Sequence, residues 1–438
     1  MTKLERFIYN LVRGNPSLKR RIRNFYQLFF DFLPKPTARS AYPITIRKNY
    51  FYGFHDHSPF SYDDSKLLAH KITFDFRMPF PNEPIEVGYF NVKNHHKYQS
   101  IGESFAWNWH MGCKLQWRGM SNEVIYNDTI DGRNIARIFD TESGKKRLLM
   151  SPIGSVSPNG EWAVGYCFNR VNYCMPGYGY NATKNISDYK IKKPNNSGVY
   201  RIDLDSGEEK LIINIEELAS VSPVESMSGM THFVTHTIIS PESDRFIFLH
   251  RWNDPSVDVD KRFSRIVVSD FEGTIIDIFA TDGMASHIGW QDNEHVIAYC
   301  RVPKFDDKYV KFKVGDAYST EIIGMGTLNS DGHPSYDLSG RWVVTDTYPD
   351  RRRVQNLILY DTHAEERFDI AKLPTPKRFQ SPSTYQHWAC DLHPRWNRSG
   401  TMVCFDSTFS GDRSLCTIEL GSDLQNEGIK TSLEEVSI

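Results

Sequence analysis

The amino-acid sequence predicts an all-β protein, a seven-bladed β-propeller that follows a short basic amphipathic helical segment. Beyond residue 40, helical periodicity nearly disappears, and short runs rich in β-formers alternate with polar turns. A unit of strand, tight turn and apolar strand recurs at roughly 40–60 residues, which is the spacing of propeller blades. We count seven units, which begin near residues 51, 110, 151, 232, 286, 332 and 392.

Composition narrows the functional classes. The chain has 438 residues and a formal net charge of −2, so it lacks the basic excess of a nucleic-acid-binding protein, and no nucleic-acid partner is expected. We also expect no nucleotide cofactor. Seven scattered cysteines, without a CxxC pair or a recognisable secretion signal, are typical of a reducing compartment and predict a cytoplasmic protein. No apolar run approaches the roughly 18 residues that span a bilayer.

The first 40 residues form a segment of their own, and residues 41–438 are assigned to the propeller. Apolar residues recur in the segment at helical spacing, and Asn15-Pro16 divides the run into two short helices. Residues 1–33 carry seven basic residues against Glu5 and Asp31: Lys3, Arg6, Arg13, Lys19, Arg20, Arg21 and Arg23. This pattern predicts either an anchor on an anionic membrane surface, at the inner face of the membrane, or a helical cap packed on the propeller.

Three further features complete the propeller. After most of the turns a second pair of strands follows, so each unit holds four strands. Residues 172–197 are polar and rich in Gly, Asn and Tyr, and we interpret them as a loop inserted in blade three. The strand near residues 42–46 is expected to pair with the last blade, because such pairing closes the ring and removes its edges.

Histidines recur at one phase of the repeat, four residues before the turn. They are His57, His236, His287, His333 and His393. In a propeller this phase is the start of the innermost strand, so the five should surround the central axis on one face. Converging neutral imidazoles are typical ligands of a divalent metal, here manganese or zinc. We expect His287, His333 and His393 as ligands, with His236 and Asp391 as further candidates; the alternative is a ring of hydrogen-bonded histidines without metal.

The ends of the second strands return to the same face and form its rim. Arginines there are Arg170, Arg251 and Arg301, and the guanidinium group binds carboxylate or sulfate in bidentate fashion. Trp252 and Tyr348 offer aromatic faces that stack on sugar rings, and Arg395 is a further candidate for substrate binding. The rim therefore predicts an anionic oligo- or polysaccharide as the partner, unless the arginines are merely solvated.

Three segments resemble the oligogalacturonate lyases and, more distantly, the ulvan lyases. They are Thr235-His236-Thr-Ile-Ile-Ser-Pro-Glu-Ser-Asp-Arg-Phe-Ile-Phe-Leu-His250, His333-Pro-Ser-Tyr-Asp-Leu-Ser-Gly-Arg-Trp342 and His393-Pro-Arg-Trp-Asn-Arg-Ser-Gly-Thr401. The resemblance implies a seven-bladed lyase in which His250 is the acid or base and Arg170 binds the substrate carboxylate. It also implies a manganese ion held by His287, His333 and His393.

The sequence is compatible with three functions. A lyase acting by β-elimination on a uronate-containing glycan needs a neutralised carboxylate and a base for the C5 proton, for which Arg251, Arg301 and His250 are available. A hydrolase or glycosyltransferase of bacterial cell-surface polysaccharide synthesis is the alternative; a hydrolase needs two carboxylates, and Asp346 and Asp406 are candidates. The third is a propeller scaffold without catalytic activity, since the fold alone implies no chemistry.

Overall fold

The computed structural model describes residues 11, 16–80, 82–92, 97–180, 187–424 and 428–437. Over these residues the chain forms seven antiparallel sheets, each with at least four strands, and each sheet is one blade. The innermost strands of blades two to seven contact one another in succession around the axis. This confirms the seven-bladed propeller, and the blades begin where the turn repeat predicts them.

The blades follow the chain in order. The strands of blades one and two are β3 (Tyr50–Phe51), β4 (Lys66–Lys71), β5 (Ile85–Asn91), β6 (Tyr98–Ser104), β7 (Gln116–Trp117), β8 (Glu123–Ile130), β9 (Arg133–Asp140) and β10 (Lys146–Leu149). Those of blades three and four are β11 (Ser155–Val156), β12 (Trp162–Tyr166), β13 (Gly198–Asp203), β14 (Glu209–Asn214), β15 (Thr231–Ile239), β16 (Arg245–Asn253), β17 (Arg262–Asp270) and β18 (Ile275–Ile278). Those of blades five and six are β19 (Ala285–Trp290), β20 (His295–Val302), β21 (Asp306–Lys313), β22 (Asp316–Ile323), β23 (Ser335–Tyr336), β24 (Trp342–Asp346), β25 (Val354–Asp361) and β26 (Glu366–Pro374).

Blade seven closes the ring with a strand from the other end of the chain. It contains β27 (Arg395–Trp396), β28 (Met402–Ser407) and β29 (Ser414–Glu419), and β2 (Ile44–Lys48) pairs antiparallel with β29 as its outermost strand. The predicted closure is therefore confirmed. Two short strands, β1 (Arg39–Ser40) and β30 (Glu434–Glu435), extend blade six in the same way.

The tight turns explain why the repeat is visible in the sequence. Between β11 and β12 the N–H of Gly160 donates to the carbonyl of Ser157 at 2.9 Å, and Gly160 has a φ of 76°. A left-handed φ favours glycine, which lacks a Cβ. Adjacent sheets then bury their apolar faces against each other, for example Ile247 and Leu249 of blade four against Ile288 of blade five.

Helices occupy the connections. The helix α1 (Pro16–Phe30) is present where the sequence predicts it and starts at its proline, whereas the predicted helix before it lies outside the described residues. The helix α2 (Phe168–Cys174) leads into the segment predicted as an inserted loop, residues 172–197, which also holds a 3-10 turn (Ser187–Lys190). The helix α3 (Ile215–Ser220) follows β14. Three further 3-10 turns are Glu225–Met227, Lys377–Phe379 and Gly421–Leu424. Among the described residues, no helix has the length and apolar character to span a membrane.

Candidate metal centre and pocket

A cluster of imidazoles surrounds the propeller axis. The ring centroid of His333 lies 4.1 Å from that of His287 and 4.3 Å from that of His393. His236 joins them through Phe54, whose ring lies 4.7 Å from His236 and 5.1 Å from His393. The structure thus brings together four of the five histidines that the shared phase places at the starts of inner strands, and His57 is the exception.

A buried carboxylate holds two of these strand starts in place. Asp346, at the end of β24, accepts hydrogen bonds from the backbone N–H groups of His333, Leu392 and His393 at 2.8–3.2 Å. It also bonds Nδ1 of His333 at 2.8 Å. One carboxylate therefore orients the His333 ring and ties blade six to blade seven.

Three of the clustered side chains have the arrangement of a metal site. The ligand atoms of His333, Asp391 and His393 all lie within 4.8 Å of one another, and all three residues are buried. Asp346 occupies Nδ1 of His333 and leaves Nε2 for an ion, as is usual for metal-bound histidine. Nδ1 of His393 is buried without a hydrogen-bond partner among the described residues. Two imidazoles and a carboxylate fit a divalent metal ion.

Burial sets the protonation of the cluster. It lowers the pKa of His236, His333 and His393 well below the usual value, so these rings are neutral and able to ligate. Burial, reinforced by the charge of Asp346, raises the pKa of Asp391 to about 7, and burial raises that of Asp346 to about 6. A cation among these carboxyls would favour their charged forms.

His287 flanks the three-residue set and has a carboxylate of its own. Its Nδ1 lies 3.0 Å from Oδ1 of Asp331 and 3.1 Å from the hydroxyl of Ser286. Because Nδ1 is engaged by these two partners, Nε2 is the ring nitrogen that remains to accept a proton. A histidine oriented in this way by an aspartate is suited to proton transfer.

A cavity of about 290 Å³ opens beside the cluster. Asp391 and Tyr348 line it, and the Tyr348 ring centroid lies 5.7 Å from that of His333. Basic side chains from several elements share its wall with His387: Lys19 and Arg23 of α1, Arg262 of β17 and Arg353 of the loop before β25. Arg251 lies close by, since its Nη2 donates to the carbonyl of Ser286 at 3.4 Å.

Two residues predicted at the rim instead have structural roles in blade four. His250 is fully buried, with Nε2 2.9 Å from Nδ1 of His232, while its Nδ1 accepts from Arg265 at 3.0 Å. Both ring nitrogens are occupied, so the acid-base role expected of His250 is wrong. Trp252 is also buried, and its ring stacks on Phe263 instead of facing a sugar.

Three arginines expected to bind substrate are engaged by the protein. Arg170 is buried in α2 and donates to backbone carbonyls, among them that of His232 at 2.6 Å. Arg395 is buried and donates to the carbonyls of His393 and Gly53. Arg301 is half-buried and forms a bidentate pair with Asp307 at 2.8 and 3.2 Å. For Arg170 and Arg395 the expectation is wrong, because their donors hold the backbone together.

The carboxylate pair that a hydrolase would use is absent at the predicted positions. Asp346 is saturated by the backbone donors of blades six and seven. Asp406 accepts from the N–H groups of Tyr52 and Gly53 at 3.0 and 2.9 Å and pairs with Arg395 at 3.5 Å. Both carboxylates therefore organise strand starts.

The sequence pattern missed three histidines of the cluster. His55, and not His57, contacts it: the ring of His55 lies 5.3 Å from that of His333, whereas Nε2 of His57 faces Asp56 at 3.5 Å. His110 stacks on Tyr178 at 4.6 Å, and its Nε2 contacts Nδ1 of His387. His55 lies two residues from the repeat phase, which is the only sequence signal that these three offered.

Solved structures of other proteins have a fold similar to that of this chain. The sequence matches no protein-family model and none of the curated proteins at a significant level. An oligogalacturonate lyase in complex with manganese has 14% identity and a TM-score of 0.60, over 90% of this chain and 100% of that one. The oligogalacturonate lyase of Vibrio parahaemolyticus has 15% identity and a TM-score of 0.56, over 87% and 93%. This chain therefore shares the seven-bladed propeller fold of the oligogalacturonate lyases.

Proposed function

We propose that the protein is a metal-dependent lyase that cleaves an anionic, uronate-containing oligo- or polysaccharide by β-elimination. The observation that carries the proposal is the set of His333, Asp391 and His393 beside a pocket with a basic wall. The likeness in fold to an oligogalacturonate lyase in complex with manganese supports manganese as the ion. A scaffold would have no need for buried imidazole nitrogens without partners, such as Nδ1 of His236 and His393.

The metal would supply positive charge to the substrate carboxylate and so acidify the adjacent C5–H. The chain's own residues supply the remaining functions. His287, oriented by Asp331, takes the C5 proton on Nε2. The C4–O bond then breaks as the C4–C5 double bond forms, and the leaving oxygen takes a proton from solvent water. Arg262 and Arg251 bind the substrate's other negative charges, and Tyr348 lies under the sugar at the floor of the pocket.

Absorbance of the unsaturated uronate product tests the function directly. Purified protein loaded with manganese should generate that absorbance from at least one member of a panel of uronate-containing glycans, and chelation should abolish it. Neutral glycans of similar length are the matched control and should give no signal. A failure on the whole panel, with reducing ends released in place of unsaturated products, would contradict β-elimination and favour hydrolysis.

Metal binding should weaken as the pH falls below about 7. The carboxyl of Asp391 has a pKa of about 7 in the metal-free protein, so below that pH the ion must displace a proton, at a cost of roughly tenfold in affinity per pH unit. His333 and His393 do not compete in this range, because burial keeps them neutral. Titration calorimetry with manganese between pH 5.5 and 8 measures the slope. An affinity independent of pH would contradict Asp391 as a ligand.

His250→Ala should lower stability and leave turnover unchanged. The substitution removes the partner of Arg265 Nε and of His232 in a buried layer, which should cost about 2–3 kcal/mol of unfolding free energy. Urea denaturation and turnover per folded molecule are the measurements, with the surface histidine His363 changed to alanine as the control. Loss of turnover without loss of stability would restore a catalytic role for His250.

The helix α1 supports a second proposal, on where the enzyme works. We propose that α1 is the basic amphipathic helix that its sequence predicts, because Gln27 and Asn24 face the propeller while Phe25 and Phe29 face solvent. All seven cysteines are free, which supports a reducing compartment. We therefore propose a cytoplasmic protein that works at the inner face of the membrane.

A further inference from the structure

The helix α1 docks on the propeller through its polar side chains. Gln27 is only 2% exposed; its side-chain amide donates to the carbonyl of Asp350 at 2.8 Å and accepts from Arg353 at 3.0 Å. Asp31, just past the helix, pairs with Arg353 at 3.0 Å. The Gln380 amide donates to Asn24. These contacts between helix and propeller are hydrogen bonds and the ion pairs of Asp31 with Arg353 and Lys377.

The opposite face of α1 carries large apolar side chains into solvent. Phe25 is 76% exposed and Phe29, one turn later, is 71% exposed. Leu18 and Leu28 are exposed on the same side, and Phe32, directly after the helix, is 91% exposed. Soluble surfaces rarely present aromatic and aliphatic residues in one continuous patch of this kind, and such patches mark binding surfaces. We call these five residues the apolar face.

Basic residues of blade six and the following loop flank the end of the apolar face. Arg352 donates to the carbonyl of Pro34 at 2.7 Å, and the guanidinium of Arg351 lies 5.3 Å above the ring of Phe30. The side chains of Lys377 and Arg378 are 63% and 60% exposed, and each also pairs at 3.5 Å with one carboxylate, Asp31 and Asp412 respectively. We call these four residues the basic rim. The apolar face thus ends against a concentration of positive charge that comes from a distant part of the chain.

We propose that the apolar face and the basic rim together dock the protein on an anionic lipid bilayer. Phe25, Phe29 and Phe32 enter the boundary between headgroups and acyl chains, and the basic rim contacts the anionic headgroups. A second copy of the chain on the same face would bring two basic rims together, and like charges oppose that contact. The charge pattern therefore favours lipid over a dimer.

Docking in this way also orients the cavity. Lys19, Arg23 and Gln27 line the wall of the cavity from α1, the helix whose other side carries the apolar face. The mouth of the cavity then lies beside the bilayer surface.

Vesicle sedimentation tests the docking. The full chain should sediment with phosphatidylcholine vesicles that contain phosphatidylglycerol and not with phosphatidylcholine alone, and salt should release it. The double variant Phe25→Ser, Phe29→Ser should bind at least roughly tenfold more weakly. The matched control, Tyr318→Ser with Leu338→Ser, replaces apolar residues that are equally exposed on blades five and six and should bind as the unchanged protein does.

The rim is tested by Lys377→Gln with Arg378→Gln, which should lower binding and flatten its salt dependence. Thermal melts check that each variant is folded, as expected for exposed positions. Three results would overturn the proposal. The Phe25, Phe29 variant would bind vesicles as tightly as the unchanged protein, or binding would not depend on anionic lipid. In the third, the unchanged protein would not bind vesicles but would be a dimer in analytical ultracentrifugation, and the variant would be a monomer.

Discussion

Replacing His333 with alanine should abolish manganese binding and lower turnover by roughly 10²–10⁴. His333 belongs to the set of ligand atoms within 4.8 Å, and its other nitrogen is held by Asp346, so no neighbouring side chain has the same orientation. Calorimetry with manganese and the product absorbance are the measurements.

The control for His333 must separate metal loss from unfolding. His333→Gln keeps the volume of the buried side chain better and should show the same loss of metal with a smaller change in melting temperature. His363→Ala, an exposed histidine of blade six, should bind metal and turn over normally. If His333→Gln is folded and binds manganese with unchanged affinity, the metal site proposed at the axis is wrong.

His287→Ala should lower turnover by roughly 10²–10⁴ while manganese still binds. His287 lies next to His333 but outside the three-residue set, and its Nδ1 is held by Asp331 at 3.0 Å. The substitution should therefore impair proton transfer and leave the three metal ligands in place.

A second variant distinguishes the role of His287 as the base from the role of Asp331 as the group that orients it. Asp331→Asn should lower turnover less than His287→Ala, because the imidazole remains and only its orientation and basicity change. Calorimetry should again give normal manganese affinity. Loss of the metal in His287→Ala would make His287 a ligand, and unchanged turnover would exclude it from the reaction.

The periodic features of the fold were predictable, because they depend on local turns. The turn at Ser157–Gly160 has counterparts in blades one, two, four, six and seven, and this recurrence makes the period visible without tertiary information. The convergence of His236, His287, His333 and His393 follows from the same repeat, since one phase of the blade meets the axis.

The errors at the rim arise where side-chain direction depends on tertiary contacts. His250 and Arg251 are neighbours in β16, and alternate residues of a strand point to opposite faces of the sheet. The strand end alone does not show which of the two faces the pocket and which faces Arg265. Arg170 lies in a helix where the pattern predicted the end of a strand, so its contacts were unpredictable. The contribution of α1 to the cavity depends on docking between distant segments.

Anomalous diffraction from crystals grown with manganese tests whether the axial cluster is a metal centre. We expect one strong peak at the propeller axis, about 2.0–2.3 Å from a ring nitrogen of His333, a ring nitrogen of His393 and a carboxylate oxygen of Asp391. No peak at that position, with calorimetry also negative at pH 8, would contradict a metal centre at the axis. A peak between other residues, with these three unliganded, would do the same.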